Sequence, residues 1–383
     1  MRRIVIENIK KTPVEKSSVQ IAERKGIGHP DTLMDGICNS ASNALSTYYL
    51  QNFRSVLHHN VDKGLLIAGQ SKPRFGGGKI IKPMEIIIAG RATAKVGSKK
   101  MPVDSVIKRE AVNYLKNFQQ LGRNYRLDIR VKEGALNLKE AFRAGIPIAN
   151  DTSFGVAHAP LSMIEKMTLD VCNFLNLELP KKMKSIGADV KVMCAAYDRK
   201  IKLSLAVAFI DKYISSMSDY IEQKDRLRES VAKFIKTPCE IELNTLDNVK
   251  GDESSIYLTV TGLSAEHGDD GQTGRGNRPT GLITPNRPMS MEATAGKNIN
   301  HPGKLYQVLS QIIADKIAKL DGVKECYVKL LTQIGKPLDC PLVSVELLDN
   351  KRNVEKSAKI ANRVLDSLQN IQRDIVKNKY RLF

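Results

Sequence analysis

Neighbouring pairs of strand-like segments backed by amphipathic helices recur about three times along this chain of 383 residues, and this pattern constrains its fold most. The strand-like runs, several of them alternating and rich in β-branched residues, cover 55–69, 85–96, 189–198, 202–210, 255–264, 325–334 and 342–348. The predicted helices cover 31–49, 104–118, 161–175, 219–235, 302–320 and 353–375. Strand pairs covered by helices predict an α+β fold of three similar layers, which we place at 1–150, 151–250 and 251–383.

The composition is that of a globular protein with a large core, since 42% of the residues are hydrophobic. The basic N-terminus has no apolar stretch long enough for a signal peptide, and no apolar run is long enough to span a bilayer. We therefore expect a cytoplasmic protein that does not bind membranes. The six cysteines form no CxxC pair and no His/Cys metal spacing, so neither disulfides nor structural zinc are expected.

The net charge of +19 raises the alternative of a nucleic-acid-binding protein, because a basic surface attracts phosphate backbones without a specific site. The charge is poorly organised for that role. The chain has no tryptophan, only 5% aromatic residues and no arginine-rich tract with interleaved aromatics. Lysines on solvated helix faces account for most of the charge, so specific nucleic-acid binding is not expected.

The stretch 266–304 has no amphipathic period but is dense in groups that bind anions. Glycine recurs at Gly268, Gly271 and Gly274, which lets the backbone turn its N–H groups toward a ligand. The carboxylates of Asp269 and Asp270 in the same loop are better suited to a metal ion, an ammonium group or a ribose than to phosphate. The alternative interpretation is that the stretch 266–304 is a flexible polar surface loop without a ligand. The cations of the stretch are Arg275, Arg278, Arg287, Lys297 and Lys304, and the carboxylates are Asp269 and Asp270.

A second polar segment, 23–31, leads directly into the first long helix. Proline at a first helical turn places His29 and Asp31 beside free backbone N–H groups and the positive helix end, which suits an anion and its metal. A simple helix cap would account for Asp31. It would not account for Glu23, Lys25 and His29 crowded alongside.

Three further segments interrupt the regular patterns. The glycine-rich segment 69–79 joins two predicted strands and is either a mobile lid or a flexible loop without a catalytic role; it lacks the spacing of a Walker motif. The segments 150–155 and 189–191 carry an aspartate and a lysine that could be ordinary turn and surface residues. All six histidines lie in or beside irregular segments or in the 57–64 run, and none in a predicted helix, which favours a functional role for His29 and His301.

Together these segments resemble the S-adenosylmethionine synthetases, in their archaeal form. The resemblance rests on 23–31 with its Gly28-His29-Pro30-Asp31 core, 150–155, 189–191 and the run from Gly268 to Lys304, and it extends from about residue 23 to 306. It implies the synthesis of S-adenosylmethionine, phosphate and pyrophosphate from ATP, methionine and water. A kinase or simple ATPase is the alternative enzyme.

The resemblance also implies roles for individual residues. Glu23, His29 and Asp31 resemble residues near the 5′ carbon, the triphosphate and a magnesium ion, and Asp151 and Phe154 resemble the segment near the nucleoside and methionine. Where bacterial relatives carry a lysine after the phosphate-binding arginine, this chain has Gly276, and Arg278 is the expected substitute for that lysine. His301 stands about where they carry a second lysine. The residues that resemble other phosphate or substrate ligands are Lys191, Arg275, Lys297, Asp269, Asp270 and Lys304.

The family's fold is three intertwined α+β domains, in a homodimer whose active sites lie between subunits. Magnesium is the expected cofactor. His58 stands near the position of the family's potassium-binding glutamate, which argues against a potassium requirement, and the family's second magnesium aspartate has no clear match. The chemistry agrees with a site rich in cations, because a thioether needs no general base to attack a 5′ carbon whereas tripolyphosphate leaves with several negative charges.

Overall fold

The computed structural model describes residues 2–134, 148–274, 279–290, 292–351 and 353–383. The helices are α1 (Pro30–Phe53), α2 (Val103–Leu115), α3 (Met163–Asn173), α4 (Met217–Ile235), α5 (Pro302–Ile317), α6 (Val354–Asp366) and α7 (Leu368–Val376). The strands are β1 (Arg3–Asn8), β2 (Gln20–Lys25), β3 (His59–Ile67), β4 (Gln70–Lys72), β5 (Lys79–Lys82), β6 (Met84–Ala92), β7 (Lys95–Val96), β8 (Lys99–Lys100), β9 (Tyr125–Glu133), β10 (Ser153–Ala159), β11 (Ile186–Tyr197), β12 (Lys200–Ile210), β13 (Glu240–Leu243), β14 (Leu258–Thr259), β15 (Gly271–Gln272), β16 (Leu282–Ile283), β17 (Val323–Thr332) and β18 (Leu342–Asp349).

Three mixed sheets of the described residues share one four-stranded unit, to which the second sheet adds β16 and β14. The first has the order β15-β3-β6-β9, the second β13-β12-β11-β2-β16, and the third β1-β18-β17-β10. Each is built on an antiparallel pair, β3/β6, β11/β12 or β17/β18, and each pair has a parallel edge strand, β9, β13 or β1. The α+β fold of three similar layers predicted from the sequence is confirmed.

The layers are intertwined through the strand that precedes the first helix of each. β2 leads into α1 but pairs with β11 in the second sheet, and β10 leads into α3 but pairs with β17 in the third sheet. Two short strands precede α5, and neither joins the third sheet: β15 pairs with β3 in the first sheet and β16 with β2 in the second. Each sheet therefore takes its outer antiparallel strand from the segment that enters another layer, which brings distant polar motifs together.

Each sheet buries one face under its helices, so the structure has three hydrophobic cores. α1 and α2 cover the first sheet, α3 and α4 the second, and α5 to α7 the third. α1 is buried along most of its length, with Leu33, Ile37, Ala41 and Leu45 at most 1% exposed. Full burial of such a leucine or isoleucine contributes about 1.5–3 kcal/mol, so α1 is a rigid support for the polar groups at its start.

Two predicted elements are wrong, for identifiable reasons. The predicted strand 255–264 is mostly irregular, because side-chain carboxylates accept from its backbone N–H groups: Asp247 from Tyr257, and Glu266 from Val260 and Thr261. Only β14 pairs with a neighbouring strand there. The predicted helix 353–375 breaks at Ser367 into α6 and α7, both of which pack on the third core.

The glycine-rich segment 69–79 belongs to a two-stranded ribbon of β4 and β5. Its turn is fastened to the second layer, because the Asp211 carboxylate accepts from the backbone N–H groups of Gly78 at 2.6 Å and Arg74 at 3.3 Å. Phe75 packs against the second core. These contacts hold the turn in place.

Candidate active site

The polar segment 23–31 places its side chains at the start of α1. His29 is the N-cap residue and accepts from the Asp31 backbone N–H through Nδ1, at 3.2 Å, while Pro30 occupies the first helical position. Gly28 is required by close packing, since a Cβ there would lie 2.5 Å from the Ala188 backbone of β11. With Nδ1 accepting, the His29 proton resides on Nε2, which can donate to a ligand.

A first cluster forms where α1, β2, β11 and the loop before β15 meet. Lys25 lies 2.6 Å from the Asp31 carboxylate, whose other oxygen accepts from the Gln272 backbone N–H at 3.0 Å. His29 Nε2 lies 3.8 Å from Asp269, so the helix start and the glycine-rich loop predicted to bind together are in contact. We name Lys25, His29, Asp31, Asp269 and Lys191 the first cluster.

Lys191 joins the first cluster through the register of the second sheet. It lies directly opposite Lys25 on the neighbouring strand, and its ammonium is 3.5 Å from Glu23 Oε1. His29, Lys191, Gly268 and Asp269 all line one cavity of about 310 Å³. The Lys191 ammonium and the Nε2–H donor of His29, together with a glycine-rich loop that offers backbone N–H groups, make this cavity suitable for a polyanion.

Burial sets the protonation states in the first cluster. It lowers the pKa of His29 to about 4, an effect that Lys25 and Lys191 reinforce, so this imidazole is neutral near pH 7 and acts as a hydrogen-bond donor. Burial followed by the nearby Asp31 raises the pKa of Asp269. Two carboxylates that repel each other beside an anion cavity favour a bound cation.

A second cluster surrounds Lys297 and the start of α5. The Lys297 ammonium lies 2.8 Å from Asp62 and 3.1 Å from Glu292, and Glu292 also accepts from the Ser153 hydroxyl at 3.0 Å. Burial alone would lower the pKa of Lys297, but the two carboxylates outweigh it and raise the pKa. His301 repeats the geometry of His29, since it caps α5, accepts from the Gly303 N–H through Nδ1 and is followed by Pro302.

The remaining predicted residues of this region differ in exposure. Asp151 is half exposed and lies 3.0 Å from His301 Nε2, which lowers the pKa of the carboxyl. Phe154 is 43% exposed on β10. Lys304 is fully buried and donates to Asn39 Oδ1 at 2.9 Å; burial and Lys297 lower its pKa to about 7. Its predicted contact with substrate stays a prediction, and in this conformation its ammonium faces the protein interior.

The predicted site residues thus fall into two clusters. Within the described ranges, no hydrogen bond or ion pair joins them. Both lie along α1, where Asn39, which binds Lys304, follows Asp31 by eight residues, or about 12 Å of helix. Asp270 lies beside the first cluster and accepts from the Ala68 N–H at 2.8 Å. Arg275 and Arg278 lie outside the described residues.

The interpretation of Arg287 as an anion ligand is wrong. Its guanidinium is buried and forms ion pairs with Glu165 at 2.8 Å and Glu325 at 3.1 Å. Sequence reasoning also missed Asp62 and Glu292. Asp62 looked like an ordinary residue of a strand-like run, while Glu292 lay in the glycine-rich stretch, where its carboxylate was a detectable signal.

Comparison with known proteins identifies the family. A family model described as S-adenosylmethionine synthetase (AdoMet synthetase) matches residues 2–379. The chain belongs to the S-adenosylmethionine synthetase family. It is 42% identical to the S-adenosylmethionine synthase of Methanocaldococcus jannaschii and 42% identical to that of Pyrococcus furiosus, in each case over 100% of both chains. The predicted identity of the chain as a methionine adenosyltransferase, a transferase, is therefore confirmed.

A solved structure supports the fold of this family member. It is described as an unusual S-adenosylmethionine synthetase from Campylobacter jejuni, and the TM-score is 0.57 at 16% identity, over 96% of this chain and 90% of that one. The similarity at this identity concerns the fold alone. The comparisons give no support to the nucleic-acid or kinase alternatives. Among the described residues, no helix is long and apolar enough to cross a membrane.

Proposed function

We propose that the first cluster binds the triphosphate of ATP while the methionine sulfur attacks the 5′ carbon. The observation that carries this proposal is the convergence of His29, Lys191 and Asp269 on one cavity, from a helix start, a strand and a glycine-rich loop. The bond from C5′ to oxygen breaks as the bond from sulfur to C5′ forms, which gives a sulfonium and tripolyphosphate. Water then cleaves tripolyphosphate to phosphate and pyrophosphate.

The role of the protein in this reaction is to orient the reactants and stabilise the leaving group. The sulfur of methionine is a neutral nucleophile with no proton to lose, so no general base is needed. His29 donates through Nε2 and Lys191 supplies a positive charge as negative charge develops on the leaving oxygen. Each contact that strengthens in the transition state contributes about 2–4 kcal/mol.

Asp31 is the proposed magnesium ligand. Its carboxylate supplies the hard oxygen donors that magnesium prefers, and it stands beside the carboxylate of Asp269 at the anion cavity. Within the described residues there is no group of three or more metal-ligating side chains, which fits an ion that keeps several waters and substrate phosphates as ligands. Bound there, the ion would neutralise charge on the phosphates. We propose no potassium requirement, since His58, which is buried, stands near the position of the family's potassium-binding glutamate.

We further propose a homodimer in which the first cluster of one subunit faces the second cluster of its partner. The separation of the two clusters within one chain supports this arrangement. The outer faces of all three sheets also expose large apolar side chains, which mark association surfaces. These residues are 37–44% exposed and include Ile21, Leu65, Phe154, Met193 and Leu331.

Incubating the purified protein with ATP, methionine and magnesium tests the proposal. We expect a sulfonium product together with phosphate and pyrophosphate, measured by mass spectrometry and phosphate analysis. ADP, or phosphate released without methionine consumption, would instead indicate a kinase or an ATPase.

His29 offers a direct test of leaving-group stabilisation. Replacement by asparagine keeps a good N-cap side chain, whereas replacement by alanine removes the cap and costs about 1 kcal/mol of stability. We expect both His29→Asn and His29→Ala to lower turnover about 100-fold or more with little change in ATP affinity, because the Nε2 contact strengthens as the C5′–O bond breaks.

The His29 experiment measures kcat, the dissociation constant of ATP and the melting temperature of each variant. Weakened ATP affinity with unchanged kcat would show that His29 binds the ground state and transition state alike. Near-normal turnover in His29→Asn would assign His29 a capping role only.

A further inference from the structure

One face of α1 is polar although the helix is buried along most of its length. Its polar side chains follow one another at intervals of three or four residues, which places them in one stripe along the helix. A polar group in the interior lowers stability unless it is hydrogen-bonded, so the partners of this stripe show what the face does. We name these residues, which are at most 8% exposed, the polar stripe: Asp31, Asp35, Asn39, Ser42 and Ser46.

Four members of the polar stripe bind the stretch 266–304, and the fifth, Ser46, bonds His59 of β3 at 3.3 Å. The four contacts are Asp31 with the Gln272 N–H at 3.0 Å, Asp35 with the Gly274 N–H at 2.8 Å, Asn39 with the Lys304 ammonium at 2.9 Å and Ser42 with the Lys297 carbonyl at 2.8 Å. The start of the stripe therefore holds the glycine-rich loop, and its middle holds the segment that carries the second cluster.

The contact between Asp35 and Gly274 is the one nearest in the chain to a predicted phosphate ligand, because Gly274 directly precedes Arg275. The φ of Gly274 is +101°, a conformation that favours glycine. The carboxylate that accepts from its N–H is 1% exposed. Hydrogen bonds to a carboxylate are about twice as strong as those between neutral groups. Asp35 therefore fixes the main chain at the residue before Arg275.

Further contacts hold the same loop from two sides. A Cβ at Gly271 would lie 2.4 Å from the carbonyl carbon of Pro30, so the loop lies directly on the first turn of α1. On the other side, the Thr273 hydroxyl accepts from the Gly64 N–H of β3, and the Thr273 N–H donates to the Gly64 carbonyl, both at 3.0 Å. The segment 271–274 is therefore held between α1 and β3, with Asp35 at its end.

We propose that Asp35 is a positioning residue for phosphate binding: it fixes the main chain at Gly274 and thereby places Arg275 at the triphosphate. The proposal rests on the proposed function, which places the triphosphate beside His29 and Lys191. Asp35 lies outside the lining of the 310 Å³ cavity of the first cluster, so it acts through the loop and not by contact with substrate. Because misplacement of a group by about 1 Å costs up to about 100-fold in rate, an anchor at the preceding residue has a large effect.

The test measures the dissociation constant of inorganic tripolyphosphate with magnesium by calorimetry, together with kcat and the methionine KM for sulfonium formation. Asp35→Ala removes the acceptor, whereas Asp35→Asn keeps an oxygen that can accept from the Gly274 N–H. We expect Asp35→Ala to weaken tripolyphosphate binding about tenfold and to lower kcat at least as much, with the methionine KM unchanged. Asp35→Asn should recover most of both losses. Hydrogen exchange of the Gly274 amide should be faster in Asp35→Ala than in wild type, which reports the lost contact directly.

Asn43→Ala is the matched control. Asn43 also lies on α1, is 5% exposed and donates to Asn378 Oδ1 at 2.6 Å, away from the stretch 266–304. This variant should lose stability as Asp35→Ala does but bind tripolyphosphate as wild type does. If Asp35→Ala does not fold, Thr273→Val takes its place, since it removes the hydroxyl contact with Gly64 and nearly keeps the side-chain shape. It should weaken tripolyphosphate binding about threefold.

A double variant with Arg275→Ala shows whether Asp35 acts through Arg275. Once the Arg275 side chain is absent, adding Asp35→Ala should change tripolyphosphate binding less than about twofold. The proposal would be overturned by a further loss of about tenfold in the double variant, or by equal weakening in Asn43→Ala. Unchanged tripolyphosphate binding in Asp35→Ala, or in Thr273→Val where it takes its place, would overturn it too. Asp35-dependent tripolyphosphate binding in a protein that forms no sulfonium would contradict the proposed function and leave the positioning role standing.

Discussion

Mixing two inactive variants is expected to restore activity if the two clusters meet between subunits. Lys191→Met removes a positive charge from the first cluster, and Asp151→Asn removes a negative charge from the second. Both altered side chains are about half exposed, so each variant is expected to fold. We expect each variant alone to lose about 100-fold or more in turnover, since removing one group that stabilises transition-state charge has effects of that size.

In a mixed dimer the two defects fall in the same site. One site combines the altered first cluster of one subunit with the altered second cluster of its partner, and the other site is intact. Random pairing makes half of the dimers mixed, each with one of two sites working, so about a quarter of wild-type activity should return after unfolding and refolding the variants together.

The complementation experiment measures sulfonium formation before and after joint refolding. The control is each variant refolded alone, which should stay inactive. If each site is built within a single chain, the mixture will recover no sulfonium-forming activity, and this result would contradict the shared-site dimer. Lys297→Met is a poorer choice for the second cluster, because it would leave buried Asp62 without its closest cation.

The motifs of the first cluster could be predicted from the sequence because each carries a local signal. A His-Pro pair before an amphipathic helix marks a helix start, and an Asp-x-Lys at a strand marks two side chains on one face. The exchange of strands between layers could not be predicted. β2 and β15 both pair with strands that lie more than 160 residues away in the chain, and β15 contains only two residues. The irregular course of 255–264 could not be predicted either, because carboxylates rather than a strand partner order that segment.

The internal ion network of Arg287 illustrates a second limit of sequence reasoning. Arg287, Glu165 and Glu325 come from three distant segments, and each alone resembles a solvated surface residue. In the structure all three are buried, and Tyr327 donates to Glu325 at 2.5 Å and accepts from Arg287 at 3.0 Å. The network joins the segment after β16 to α3 and β17, and so connects the second and third layers.

Arg287→Met is therefore expected to lower the free energy of unfolding by about 3–5 kcal/mol, because it removes the buried cation that pairs with two buried carboxylates. Arg228→Met is the matched control, since Arg228 forms an exposed ion pair with Asp225 and its loss should cost about 0.5 kcal/mol or less. Urea unfolding near pH 7 measures both. A loss below about 1 kcal/mol for Arg287→Met would contradict a central role for the network.

The pH dependence of the same variant identifies the charge responsible. Burial alone would raise the pKa of Glu165, but His158 and Arg287 outweigh it and lower the pKa to about 2. A carboxyl whose folded pKa is depressed stabilises the fold fully above its unfolded pKa, about 4.3, and loses that contribution as pH falls toward 2. The stability difference between wild type and Arg287→Met should therefore be largest near neutral pH and shrink below pH of about 4.

Adding Glu165→Gln to Arg287→Met should recover part of the loss at pH 7, since glutamine can still cap α3 and carries no charge. A double variant less stable than Arg287→Met would mean that Glu165 stabilises the fold through contacts other than its pairing with Arg287.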